Sequence, residues 1–203
     1  MGCRLAVSSA IDWFFGFVEE GIILEDDTLP EESFFAYCRE LLQLYKNDSR
    51  IMHIAGTNRG CEGASPYSYY FSCYVQIWGW ATWRRAWQNY DVAIQSWKYL
   101  RNSLQNYIID DDECKRRYHN FEKVYNGEID TWDYQWHLSV LQHHGLAIIP
   151  RVNMISNIGF GTDATRTRDQ GNQFANLPRK KMEFPLRHPP YIMYEDSFES
   201  LHR

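Results

Sequence analysis

The 203-residue sequence lacks three features that would each indicate a class of protein. It has no basic excess: 21 Lys and Arg stand against 26 Asp and Glu, a formal net charge of −5, which argues against nucleic acid as a partner. It has no apolar run near the roughly 20 residues that a transmembrane segment needs. Its five cysteines show no CxxC spacing, so neither a disulfide framework nor a zinc knuckle is indicated. We therefore expect one domain, residues 1–203, in the reducing cytoplasm.

Aromatic residues, by contrast, are plentiful, at 16% of the chain with 8 Trp and 14 Tyr. An excess of this kind has two interpretations. The rings can fill a well-packed core, or they can line a sugar site, because flat rings stack on the apolar faces of pyranose rings. Composition by itself favours the core without excluding the sugar site.

The pattern of apolar residues predicts a mixed α/β domain. Pro30 suits the first position of a helix, with Glu31 and Glu32 in its first turn. We expect that helix to bury Phe34, Phe35, Cys38, Leu41, Leu42 and Tyr45. The other predicted helices cover residues 8–20, 81–90, 92–106 and 111–126, and one runs from Asp130 or Thr131 to His143; predicted strands cover 22–24, 51–55, 69–77 and 146–149, and the chain after 159 reads as irregular.

Three acidic residues, Glu25, Asp26 and Asp27, follow directly on the apolar run of residues 22–24. Ligands of α/β sheets bind at the carboxyl ends of strands. Adjacent carboxylates raise one another's pKa unless a cation joins them, and a hard divalent ion is held by one or two carboxylates together with phosphate oxygens. The triplet therefore indicates either a metal site or an acidic loop before the next helix.

Five motifs stand out along the chain: Ala10–Phe15, Glu19–Asp27, Ile77–Trp87, Asp130–Trp136 and Asn157–Gly161. Together they resemble the bacterial nucleotide-diphospho-sugar transferases that are described as hemolytic-protein-like. The resemblance covers most of residues 5–195. More distantly, the acidic triplet and a later Trp-Asp pair are similar to N-acetylglucosaminyltransferase I, an enzyme of the GT-A type.

The resemblance implies a GT-A-like mixed sheet flanked by helices and a glycosyltransferase activity. The donor would be a nucleotide sugar and the acceptor a carbohydrate or glycan-lipid hydroxyl. Asp27 would ligate Mn²⁺ or Mg²⁺, which would bridge the donor's diphosphate. Asp133 would be the base that takes the acceptor's proton. The donor's sugar or ribose would face Glu25 and Asp26. The sugar pocket would be lined in part by Trp78, Trp80 and Trp83.

These residues also have structural interpretations. Trp80, Trp83 and Trp87 fall at helical spacing and could form plain core, and Asp133 lies four residues before His137, so a pair on a helix surface is possible. Asp130 could be a helix cap. Two other functions stay open: a non-catalytic module of the same fold that binds a sugar or a partner enzyme, and a glycoside hydrolase that uses two carboxylates.

Two departures from the family pattern bear on activity. Family members carry an N-terminal section ahead of the acidic triplet, whereas about two dozen residues precede Glu25 here, so we expect an N-terminally truncated sheet with an exposed edge and possible self-association. The family also tends to have His where this chain has Arg166. A guanidinium has no lone pair for a metal, but it could bind the donor's diphosphate directly.

Overall fold

The computed structural model describes residues 2–60, 62–63, 65–108, 110–160 and 172–194. Within these residues, no helix has the length and hydropathy to cross a membrane. The strands are β1 (Glu20–Ile23), β2 (Thr28–Pro30), β3 (Ile51–Ala55), β4 (Tyr69–Ser72), β5 (Trp80–Trp83), β6 (Leu146–Pro150) and β7 (Ile155–Asn157). The helices are α1 (Cys3–Phe15), α2 (Ser33–Leu44), α3 (Arg84–Trp87), α4 (Trp97–Leu100), α5 (Asp111–Tyr125) and α6 (Asp133–Gln142), with a 3₁₀ helix at Arg101–Asn106.

Five strands form one mixed sheet in the order β1-β5-β3-β6-β4, and β2 pairs with β7 in a separate small sheet. β1, β3 and β6 run in one direction, while β4 and β5 run in the other. Helices flank this sheet, so the expectation of a mixed α/β domain is confirmed. The carboxyl ends of β1, β3 and β6 consequently meet at one end of the sheet, together with the start of β5.

Helix α6 brings its first residue to the same end of the sheet. Residues 143–145 join α6 to β6, so the helix runs back along the strand that follows it. Its N-cap residue Trp132 stacks on Trp80, the first residue of β5, with ring centroids 5.6 Å apart. Asp133 therefore lies at the end of the sheet where the acidic triplet also lies.

The helix predicted over residues 81–90 is wrong in its first half. Residues 80–83 form β5, which pairs with β1 on one side and with β3 on the other. In a strand, residues three apart point to opposite faces. Trp80 accordingly packs with Trp132 and Trp136 on one face, while Trp83 packs with the residues of α2 on the other.

The helix predicted to start at Pro30 begins instead at Ser33. Pro30 ends β2, the short strand that pairs with β7, where its missing N–H is tolerated. Most residues expected on the inner face of this helix are indeed buried, but Phe35 is 45% exposed and Tyr37, which was not predicted, is fully buried.

Aromatic side chains fill much of the core on both faces of the large sheet. This favours the packing interpretation of the aromatic excess for most of the tryptophans. Those buried to within 2% exposure are Trp80, Trp83, Trp97, Trp132 and Trp136.

β1 is an edge strand of the large sheet, and among the described residues no strand pairs with its outer side. Two large rings are exposed nearby, Trp13 of α1 at 69% and Phe17, two residues after the end of α1, at 74%, and these rings contact each other. An open edge beside exposed rings is the arrangement from which self-association was expected. That association stays a prediction.

Candidate functional site

The acidic triplet forms a tight turn between β1 and β2. The backbone N–H of Thr28 donates to the Glu25 carbonyl oxygen at 3.1 Å, and the Thr28 hydroxyl donates to the same oxygen at 2.7 Å. The Ile158 N–H donates to the Asp27 carbonyl oxygen at 2.9 Å. Three hydrogen bonds therefore fix the backbone of the turn, so the carboxylates project from a rigid support.

The Asp27 carboxylate lies against the end of β7. Asn157, buried at 6% exposure, accepts the Gly159 N–H on Oδ1 at 2.8 Å, which leaves its amide N–H₂ to donate to Asp27. A Cβ at Gly159 would stand 2.2 Å from Asp27 Oδ2, so a larger residue at this position would have to displace the carboxylate.

Burial raises the pKa of Asp27 above its usual value, and the charge of Asp26 raises it further. The hydrogen bond from Asn157 acts in the opposite direction. A carboxylate that is desolvated and crowded by another acid gains stability when a cation arrives. Asp27 thus has the electrostatics expected of a cation ligand.

The rest of the triplet is more open. Asp26 is exposed and Glu25 is half-buried. Within the described part of the chain, no three His, Cys, Asp or Glu residues converge in a way that could hold a metal ion by themselves. A divalent ion at Asp27 would therefore take one or two protein ligands. That number fits Mg²⁺ or Mn²⁺ shared with substrate phosphates and water better than it fits a dedicated protein cage.

Trp78 lies just before β5 and next to the ends of β3 and β7. The Thr57 hydroxyl donates to its carbonyl oxygen at 2.6 Å. The Arg59 guanidinium lies over its ring at 3.7 Å from the centroid, and Phe160 meets it edge-on at 5.6 Å. Trp78 is half-buried, so part of its indole remains accessible at this end of the sheet.

Trp80 and Trp83, the other two tryptophans expected to wall the donor, lie in the core. Trp80 is 1% exposed and stacks between His53 and Trp132, at 5.0 and 5.6 Å between centroids. Trp83 is 2% exposed, and its Nε1–H donates to the Leu42 carbonyl oxygen at 3.1 Å. Their placement supports the packing interpretation, because neither ring reaches the surface.

Asp133 is the first residue of α6, is half-buried, and accepts a hydrogen bond from the Thr131 hydroxyl on Oδ1. The neighbouring rings of Trp132 and Trp136 are both buried at 1% exposure or less in the cluster around Trp80, so neither ring is available to hold an acceptor.

Asp130, the other acid of the Asp130–Trp136 motif, binds the start of α1. Its carboxylate accepts the N–H groups of Cys3 at 2.7 Å and Arg4 at 3.2 Å, so it caps the first turn of α1. It is a helix cap, as the structural interpretation proposed, although the helix it caps lies elsewhere in the sequence.

Asp27 and Asp133 lie at the same end of the sheet but on different elements. Asp27 follows β1, while Asp133 opens α6, whose N-cap residue Trp132 stacks on Trp80 of β5, the strand that pairs with β1. Trp78 and Arg59, which precede β5 and follow β3, belong to the same end of the sheet.

Sequence reasoning missed three residues of this region: Arg59, Arg117 and Asn157. Arg59 sits in a loop rich in Gly and Asn, Arg117 reads as a solvated helix residue, and Asn157 was seen as part of a motif without a role. No local pattern could have placed them beside the predicted carboxylates. Arg166, predicted to contact the donor, lies outside the described residues.

No protein-family model matches this chain, and no curated protein matches it either. The family expectation consequently depends on the motifs, and the function depends on the site itself.

Proposed function

We propose that this chain is a glycosyltransferase domain of the GT-A type, related to the hemolytic-protein-like family. It would move a sugar from a nucleoside-diphosphate donor to the hydroxyl of a carbohydrate or glycan-lipid acceptor, with Mn²⁺ or Mg²⁺ as cofactor. The observation that carries the proposal is the state of Asp27: a desolvated carboxylate on a rigid turn, crowded by Asp26, at the carboxyl end of a strand.

The donor would lie along the end of the sheet, from Asp27 towards Asp133. Asp27 would hold the divalent ion, which would offset the charge of the leaving nucleoside diphosphate. Glu25 and Asp26 lie on the same turn and would face the donor's sugar or ribose. Trp78, the half-buried member of the three predicted tryptophans, would contact the sugar.

Asp133 would accept the proton of the acceptor hydroxyl. Its Oδ1 is engaged by Thr131, which orients the carboxylate, and we assign Oδ2 to the acceptor. A base within roughly 2.6–3.2 Å of the hydroxyl is what such a transfer requires.

The test is calorimetric titration of the chain with a nucleoside diphosphate in the presence of Mn²⁺. We expect binding that Asp27→Ala abolishes and that EDTA removes. Asp112→Ala is the matched control, since Asp112 is an exposed acid on α5 whose ion pair with Lys115 lies at the surface.

Equal binding by Asp27→Ala would remove the metal site from the proposal. If the wild-type chain binds no nucleotide with or without Mn²⁺, the non-catalytic module becomes the better interpretation. Turnover of a glycoside without nucleotide or metal would instead support the hydrolase.

A further inference from the structure

A cleft of about 420 Å³ lies beside the small sheet that β2 and β7 form. Two of the residues that line it, Leu29 and Ser156, are cross-strand partners, so their side chains share one face of this sheet. Glu31 and Glu32 line the cleft just before α2, and residues 176–179 complete it. Its volume is within the range of about 300–1,000 Å³ that is usual for ligand pockets.

The cleft is close to Asp27 but on the other face of the small sheet. Asn157, which bonds to the Asp27 carboxylate, follows Ser156 directly in β7. Successive residues of a strand point to opposite faces. A ligand in the cleft would therefore meet a different set of side chains from a ligand at Asp27.

The segment of residues 176–179 is fastened to the small sheet by hydrogen bonds. The Asn176 N–H donates to the Asn157 carbonyl oxygen at 3.0 Å. The Arg179 side chain donates through Nη1 to the Pro30 carbonyl oxygen at 2.7 Å. The cleft is thus formed before a ligand arrives, which lowers the entropy cost of binding.

Ser156 is the buried polar residue of the cleft, at 8% exposure. Among the residues that the structure describes, none forms a hydrogen bond with its hydroxyl. A buried hydroxyl without a partner costs free energy, and a partner that arrives with a ligand removes that cost. Ser156 therefore favours a ligand that can hydrogen-bond in the cleft.

The other polar groups of the cleft carry both signs of charge. Glu31 is held through Oε2 by the Ser33 N–H at 2.7 Å and by the Ser33 hydroxyl, which leaves Oε1 to accept. Glu32 and Arg179 are exposed, and Arg179 has N–H groups besides the one bound to Pro30. Neither an anion nor a cation matches all of these groups, whereas a hydroxyl both donates and accepts.

We propose that the cleft binds a neutral sugar unit, which hydrogen-bonds to Ser156, Glu32 and Arg179 and rests its C–H groups on Leu29. This inference goes beyond the proposed function, because it requires neither a nucleotide nor a metal ion. The exposed positions of Leu29, Glu32 and Arg179 leave room for the sugar to continue into a longer glycan.

The test uses saturation-transfer NMR in EDTA with the methyl α-glycosides of glucose, galactose and mannose. We expect at least one of them to bind, and we expect cyclohexanol, a ring with a single hydroxyl, to bind about tenfold more weakly or not at all. Glucuronate and glucosamine test the preference for a neutral ligand. The proposal is overturned if no methyl glycoside binds, if cyclohexanol binds equally, or if a charged sugar binds more tightly.

The variants locate the site. Ser156→Ala should weaken sugar binding by about fivefold and Glu32→Gln by about tenfold, since a bond to a charged group is stronger. Glu183→Gln, at an exposed acid outside the cleft, is the matched control. Ser156→Ala should not lower the melting temperature, because the hydroxyl has no partner among the described residues.

If Ser156→Ala does lower the melting temperature, Glu32→Gln decides, since Glu32 is exposed. Wild-type binding by Glu32→Gln would overturn the proposal. Loss of sugar binding in Asp27→Asn would also overturn it, because the sugar would then lie at the donor end.

These outcomes are independent of the nucleotide titration. Sugar binding in EDTA by a chain that binds no nucleotide would keep the cleft and remove the transferase. Nucleotide binding by a chain that binds none of the methyl glycosides would keep the transferase and remove the sugar site in the cleft.

Discussion

Trp80 and Trp83 lie on the same strand and provide a matched test of whether a tryptophan serves the core or the site. Both are at most 2% exposed, yet their indole N–H groups differ. Trp83 Nε1 donates to the Leu42 carbonyl oxygen, whereas Trp80 Nε1 is buried without a hydrogen-bond partner among the described residues. We predict that Trp83→Phe destabilises the fold more than Trp80→Phe does.

The expected loss in free energy of unfolding follows from the surroundings of each tryptophan. Phenylalanine has about three fewer ring atoms, and at ~0.8 kcal/mol for each buried methylene-sized group either change costs roughly 2.4 kcal/mol of burial. Trp80→Phe also removes an unpaired buried donor, which raises the free energy of unfolding by about 1 kcal/mol. Trp83→Phe instead loses a hydrogen bond, which lowers it by about 1 kcal/mol. The expected losses in free energy of unfolding are therefore about 1–2 and about 3–4 kcal/mol.

The assay is thermal unfolding of the two variants, followed by titration with a nucleoside diphosphate and Mn²⁺. At roughly 2–4 °C per kcal/mol for a chain of this size, the two melting temperatures should differ by about 4–8 °C. Nucleotide affinity should match wild type in both variants. Equal melting temperatures would refute the hydrogen-bond argument. If a variant keeps its stability but binds nucleotide more weakly, the replaced tryptophan contacts the donor after all.

The remaining predictions concern single acids. Because the pKa of Asp27 is raised above 3.8, its ionisation weakens the metal-free fold as pH rises through the folded-state pKa. Asp27→Asn should therefore raise the melting temperature at pH 7, with the gain vanishing below pH 3.8; a gain that is the same at all pH values would contradict this. Asp133→Asn should lower transfer to acceptor by roughly 10²–10⁴-fold with donor affinity unchanged, and a wild-type rate would make Asp133 a structural residue. Asp130→Ala should cost about 1 kcal/mol by uncapping α1, measured by denaturation, and it should leave transfer unchanged if Asp130 is only a cap.

Some elements predicted from residues close together in the sequence are present in the structure. The strand predicted at residues 51–55 has these bounds as β3, and the helix predicted at 111–126 is present as α5, with Asp110 capping it by accepting the Glu113 N–H at 2.8 Å. Such features depend on side chains close in sequence, which is why they can be predicted from it. Residues 80–83 show the limit, because three tryptophans at helical spacing indicated a helix where pairing with both β1 and β3 makes a strand.

The sequence shows an apolar run that leads into three adjacent acids and a Trp-Asp pair at the start of a later helix. The structure shows that the strand before the acids, β1, is half-buried at the sheet edge, and it sets which residues surround the acids and the Trp-Asp pair. It placed Trp80, Trp83, Trp132 and Trp136 in the core, since strand pairing buries the first two rings and the packing of α6 against the sheet buries the other two. It also brought Asn157 close to Asp27, and it brought Arg59 and Arg117 towards Asp133. These residues are far apart in the sequence, so no local pattern predicts that they meet. The strand order brings them together.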